Sequence, residues 1–231
     1  MVGSYMSKEC IVLSFGGSVV LSDDLTTTFF SDLKKTIQHI SEKYQVFIIV
    51  GGGKTARTYI TLGRSQGFSE SNLDWLGINA TRINARFLSI LLTADNVNVP
   101  TTIEEAIQNE SDIVVMGGTT PGHSTDFVGA ALAEQIQAKL FIIATNVDGV
   151  YDKDPNKHPD ARKFSDISID TLLREYGNQW ETAGKNMVID GPALQKIKDA
   201  KINTIVINGK HLDELTRIII DKPFNGTTIT H

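Results

Sequence analysis

The sequence predicts an α/β protein built on a parallel sheet, and three observations predict it. Short apolar runs rich in β-branched residues recur at positions 11–15, 46–50, 113–116 and 140–144. Stretches with helical apolar spacing separate them. Each run ends in a polar loop rich in glycine, hydroxyl or carboxylate residues. Runs that are apolar throughout suit strands covered on both faces, and loops of that kind at strand carboxyl ends suit ligand binding.

Taken in order, residues 11–15 form the first strand and end in Gly16-Gly17-Ser18. That trio reads as a structural turn or as a small nest facing a phosphate. Phe29, Leu33, Ile37 and Ile40 follow helical spacing. The second strand, 46–50, runs into Gly51-Gly52-Gly53-Lys54-Thr55-Ala56-Arg57. This is not a P-loop, because that pattern needs a glycine five residues before Gly53 and Ile48 stands there. Three consecutive glycines before a helix still give an anion free access to the backbone. Lys54 and Arg57 read as phosphate contacts or as a solvated helix face.

A polar stretch, 65–72, precedes Asp74, which reads equally as an acceptor for sugar hydroxyls or as an N-cap. A helix is expected over 78–92, a short strand over 97–99 and a short helix over 103–108. The strand 113–116 then leads into Gly117-Gly118-Thr119-Thr120-Pro121-Gly122-His123-Ser124-Thr125-Asp126, followed by a helix over 127–137. This loop suits a phosphate or a polar small molecule, with Ser124 or Thr125 capping the helix as the plainer reading. The strand 140–144 runs into Thr145-Asn146-Val147-Asp148-Gly149-Val150-Tyr151-Asp152-Lys153-Asp154-Pro155. Its tyrosine could flank a base and its polar groups could hold ribose or hydrated Mg²⁺, or the loop is simply a solvated surface. Ser168 is expected to cap a helix reaching Tyr176. A turn at 183–187, a helix at 192–200, a strand at 202–207, a helix at 213–220 and a closing strand at 226–229 complete the reading.

The 231 residues suit one large domain, with 41% apolar and 21% charged residues as in ordinary folded proteins. A net charge of −5 argues against general nucleic-acid or membrane binding. The single cysteine, Cys10, excludes an internal disulfide and fits a reducing, cytoplasmic setting. Residues 1–6 fit no element, and those ahead of Met6 read as tag residue. Neither a Ser/His/Asp triad nor a Cys/His metal cluster is evident. Repeated phosphate-type loops without such groups point to phosphoryl transfer, which asks mainly for positioning and charge stabilisation.

Together these motifs resemble the amino acid kinase superfamily, and within it the archaeal-type uridylate (UMP) kinases. The Asn-Val-Asp-Gly-Val-Tyr motif with its Asp-Pro carries the superfamily resemblance. The Gly-Gly-Thr-x-Pro-Gly-His-x-Thr-Asp loop narrows it. The resemblance implies a three-layer αβα sandwich on a mainly parallel sheet. It implies one domain over 1–231, acceptor-binding in its N-terminal half and ATP-binding in its C-terminal half. It implies transfer of the γ-phosphoryl group of Mg·ATP to UMP, and a homohexamer. Position by position, Gly17, Ser18, Gly53 and Arg57 would face the ATP phosphates, and Thr145, Asn146, Tyr151 and Asp154 would hold adenosine. Gly52, Asp74, Thr119, Thr120, Pro121, Gly122, His123, Ser124 and Thr125 would hold UMP. Asp126 would organise the catalytic centre, and Asp190 matches a recurring position.

One departure stands out. Many superfamily members carry a lysine two residues before the first Gly-Gly, where this chain has Ser14. Lys54, Arg57 and Mg²⁺ are then the candidates for the catalytic cation. Two other readings remain. One is a kinase of the same fold for another small phosphate such as isopentenyl phosphate, although that expects a histidine soon after the triple glycine. The other is a nucleotide- or oxyanion-binding protein with weak or no catalysis.

Overall fold

The computed structural model describes residues 8–20, 26–93, 98–177 and 188–231. In chain order the elements are β1 (Glu9–Phe15), α1 (Gly17–Val20), α2 (Thr27–Ser41), β2 (Tyr44–Val50), α3 (Gly53–Ser65), α4 (Glu70–Thr93), α5 (Ile103–Ile107) and β3 (Ile113–Met116). Then follow α6 (Thr125–Gln135), β4 (Leu140–Thr145), β5 (Asp166–Ser168), α7 (Ile169–Tyr176), α8 (Gly191–Ala200), β6 (Thr204–Asn208), α9 (Leu212–Ile219) and β7 (Gly226–Thr230).

The strands form one sheet in the order β3-β2-β1-β4-β6-β7-β5. Every pairing is parallel except β6 with β7. Side chains alternate across a strand, so one apolar run feeds two cores. Ile11, Leu13 and Phe15 pack with Ile37 of α2, Leu88 of α4 and Leu215 of α9. Val12, Phe47 and Phe141 pack on the other side with Val128 of α6, Leu172 of α7 and Leu194 of α8. The expected three-layer αβα sandwich is therefore present. The chain winds from β1 outward to β3, then returns to the far side of β1 for β4. The reversal opens a crevice at the carboxyl ends of β1 and β4.

Local signals set most boundaries. Thr26 Oγ1 accepts from Phe29 N–H at 3.2 Å and so starts α2, and Ser168 Oγ does the same for α7. Four expectations need correction. Helix α4 begins at Glu70 rather than 78, because Ser69 Oγ caps it by accepting from Asn72 N–H at 3.3 Å. Asp74 is thus inside a helix and is not its N-cap. Residues 98–99 form no strand, while Val97 lies outside the described residues. Gly17 opens a short helix rather than a free turn. Strand β5 was not anticipated. The turn expected at 183–187 also lies outside the described residues.

Candidate active site

The floor of the crevice is backbone. Gly16 N–H donates to Ala144 O at 2.9 Å, and Gly51 N–H donates to Phe15 O at 2.8 Å. The two glycine turns then interlock. A Cβ on Gly51 would lie 2.6 Å from Gly17 N, and one on Gly53 would lie 2.5 Å from Gly17 O. Gly53 also has φ +59°, a conformation that glycine adopts without a steric penalty. Asn84 of α4 anchors this floor from below, Nδ2 donating to Gly51 O at 2.8 Å. Helix α3 starts here with no acidic residue in its first turn and no side chain on its cap. Its leading N–H groups and partial positive charge are open to an anion.

On the β2/β3 side a cavity of about 510 Å³ is lined by Gly52, Gly53, Arg57 and Asp74, and by the residues Thr120, Pro121, Gly122, His123, Ser124, Thr125 and Asp126. Nearly the whole expected acceptor set meets there. Thr119 is adjacent to that lining in the chain. Lys54 is exposed on the first turn of α3 and does not line it. Asp74 Oδ2 accepts from Gly122 N–H at 3.0 Å, which fixes the loop at a glycine with φ +83°. His123 stacks on Phe127, their ring centroids 4.3 Å apart.

On the β4/β6 side a second cavity, of about 250 Å³, is lined by Thr145, Asn146, Tyr151, Asp154 and Pro155. Asp154 Oδ1 accepts from Asn156 N–H at 3.0 Å and shapes the turn. Asp148 Oδ1 accepts from Asn208 Nδ2 at 2.9 Å, tying this loop to β6. Burial, and the Asp148 charge after it, push the Tyr151 phenol up, so it stays a neutral donor.

Between the cavities lies a pair that sequence reasoning did not join. Ser14 is 1% exposed, and its hydroxyl donates to Asp126 Oδ1 at 2.6 Å. Burial pushes the Asp126 carboxyl from 3.8 up to about 7; the Ser14 hydrogen bond opposes the rise and the Asp190 charge adds to it. Asp190 caps α8, Oδ1 accepting from Ala193 N–H at 3.0 Å. Ser124 caps α6, accepting from Phe127 N–H at 2.9 Å, and its hydroxyl donates to Asp190 Oδ2. Two helix starts are thereby locked together around Asp126.

Helix α4 holds further residues that the sequence reading left without a role, Thr81 and Arg82, both bonded to the acceptor loop. Asp74, Ile78 and Thr81 follow i, i+4, i+7 spacing, a signal that becomes visible once the helix starts at Glu70. Among the described residues no three His, Cys, Asp or Glu side chains converge on a metal site. A further cavity of about 560 Å³ lies at the amino-terminal ends of the strands, beside Tyr44 and Lys139, away from every glycine-rich loop.

Residues 9–208 match the model of the amino acid kinase family. The chain is 42% identical over 225 residues to the uridylate kinase of Thermoplasma volcanium, covering 96% of this chain and 98% of that protein. It is 45% identical over 228 residues to the uridylate kinase of Methanocaldococcus jannaschii, covering 95% and 98%. The crystal structure of the uridylate kinase from Archaeoglobus fulgidus superposes with a TM-score of 0.84 at 39% identity, covering 96% of this chain and 100% of that one.

Proposed function

The chain belongs to the amino acid kinase family, and from that membership we propose that it transfers the γ-phosphoryl group of Mg·ATP to UMP, giving UDP and ADP. The observation that carries this reading is the pairing of two cavities across one glycine floor, with Ser14 and Asp126 at their junction. Phosphoryl transfer needs two phosphates brought end to end and their charge compensated.

The single domain divides the work between its halves. Thr145, Asn146, Tyr151 and Asp154 hold the adenosine of ATP. The backbone of Gly17 and Gly53, with Ser18, faces its phosphates. UMP occupies the larger cavity, with Asp74 toward the ribose. Arg57 lines that cavity at the floor and supplies the positive charge nearest the transfer; Lys54 adds to the field from the exposed side of the same turn. Mg²⁺ bound with the ATP phosphates would supply charge neutralisation there. Asp126 keeps the junction ordered through Ser14. The hydroxyl in place of the usual lysine thus holds the acidic residue instead of contacting the moving charge.

Assembly into a homohexamer is part of the proposal. Helices α3 and α4 expose Tyr59, Leu62, Ile83, Phe87 and Ile90, with Ile83 65% and Leu62 59% exposed. An apolar surface of that kind supports burial against other copies. We place the protein in the cytoplasm, where ATP and UMP are found; no described helix is long and apolar enough to cross a membrane.

The test is nucleoside diphosphate formation from Mg·ATP with UMP, CMP, AMP, isopentenyl phosphate and N-acetylglutamate. Selective turnover of UMP is expected. Turnover of a different acceptor would remove the uridylate assignment, and nucleotide binding without turnover would leave a binding protein.

A further inference from the structure

Two consecutive residues of α4 grip the acceptor loop. Thr81 Oγ1 accepts from Gly118 N–H at 2.6 Å and donates to Ile78 O at 2.6 Å. Arg82 takes the carbonyls. Its Nε donates to Gly118 O at 3.2 Å, and its Nη2 donates to Thr119 O at 3.0 Å and to Thr101 O at 3.4 Å. The indole of Trp75 lies over the same guanidinium, with 5.9 Å between Cζ and the ring. The rigid fork of arginine is what allows one side chain to hold neighbouring carbonyls.

Holding those two carbonyls has a consequence one atom further along. A trans peptide is planar, so its N–H points opposite to its C=O, and the chain has no cis peptides among its described residues. With Gly118 O and Thr119 O both drawn to Arg82, the N–H groups of Thr119 and Thr120 both point away from it. In an extended chain successive N–H groups would point to opposite sides. Here they point to one side, in a stretch whose Gly118 and Thr120 line the acceptor cavity. Among the described residues neither N–H has a hydrogen-bond acceptor.

We infer that Arg82 is a positioning residue for the acceptor: by holding the carbonyls of Gly118 and Thr119 it presents the N–H groups of Thr119 and Thr120 as a donor pair to oxygen atoms of the bound nucleoside monophosphate. The inference rests on reading that cavity as the UMP site. It gives the arginine a role distinct from charge compensation at the transferred phosphoryl, because its Nε and Nη2 donors are directed to the main chain.

The experiment compares wild type with Arg82→Lys and Arg82→Met, measuring KM for UMP, KM for ATP and kcat, and the melting shift that UMP induces. Lysine keeps the charge but cannot fork to two carbonyls, and methionine keeps an apolar stem against Trp75. Each variant is expected to raise KM for UMP about 10- to 100-fold, the effect of losing one or two aligned hydrogen bonds. KM for ATP should stay within about twofold, and kcat should fall less than KM rises. The UMP-induced melting shift should shrink in parallel. An unchanged KM for UMP, or equal changes in both KM values, overturns the inference. If Arg82→Met does not fold, Arg82→Lys decides alone. A wild type that turns over UMP while the variants keep their KM refutes the role of Arg82 only; a wild type inert toward UMP refutes the acceptor assignment and this inference with it.

Discussion

Asp126→Asn should give a protein that is more stable and nearly inactive. The wild-type carboxyl is pushed from 3.8 up to about 7 by burial, with the Asp190 charge adding to it. In the unfolded chain it titrates near its ordinary value. Between about pH 4 and 7 the folded state therefore holds more protons than the unfolded state, and stability falls as pH rises. Above about pH 7 the full penalty for an ionised buried carboxylate is present. The interval from 3.8 to about 7 corresponds to roughly 4 kcal/mol at 1.36 kcal/mol per pH unit. Asp126 retains some exposure, so about 2 kcal/mol is the working expectation after allowance for solvent screening. Asparagine has no charge to bury and keeps an oxygen to accept from Ser14. For a chain of this size the variant should melt about 4–8 °C higher at pH 8. The assay is thermal unfolding of both proteins without nucleotide or metal from pH 4.5 to 8.5, alongside UDP formation. The difference in Tm should be smallest at the acid end, about a quarter of its full size at pH 4.5, open up to about pH 7, and then stay level. Turnover should fall at least about 100-fold. A difference that is independent of pH, or that closes as pH rises, would refute the electrostatic account. Unchanged turnover would remove Asp126 from the centre.

Other perturbations separate the parts of the site. Asp74→Ala releases Gly122 and the proposed ribose contact, and should raise KM for UMP about 10-fold or more with little change for ATP, as steady-state kinetics would show. Tyr151→Ala should do the reverse, weakening ATP and sparing UMP. Gly17→Ala forces a methyl against the backbone of Gly51 and Gly53, so chemical denaturation should report a loss of about 1–3 kcal/mol, with activity falling further than stability explains. Ile83→Asp places a charge on the exposed apolar face of α4, and sedimentation should show a smaller species than wild type.

Much of this architecture was legible in the chain, and the gaps have physical causes. The runs at 46–50 and 113–116 could be read because a strand covered on both faces must be apolar throughout. The start of α4 was hidden, since Ser69, Glu70, Ser71 and Asn72 look like a loop. Its early turns pack against α3 instead of entering the core beside the sheet, so they carry little apolar periodicity. Strand β5 offered three residues, of which only Ile167 is buried. The glycine-rich loops were legible as places for anions because their composition alone frees the backbone. Their mutual arrangement was not. Ser14 and Asp126 are 112 positions apart in sequence, and only the β1–α6 packing brings the hydroxyl to the carboxylate. Ser14 consequently looked like the loss of a lysine, and nothing in the sequence tied Arg82 to the loop it holds.

The interlocked glycines have a mechanical meaning as well. Gly17 cannot shift without displacing Gly51 and Gly53, so the ends of β1 and β2 behave as one piece. Neither nucleotide can then be gripped by pulling its own strand end inward. Among the described residues, any closing falls to the outer segments: the loop beyond Thr119, tied to α4 at Gly122, over one ligand and residues 146–156 over the other. The two phosphates would meet above a fixed anvil, and the distance between them would be set before either jaw moves.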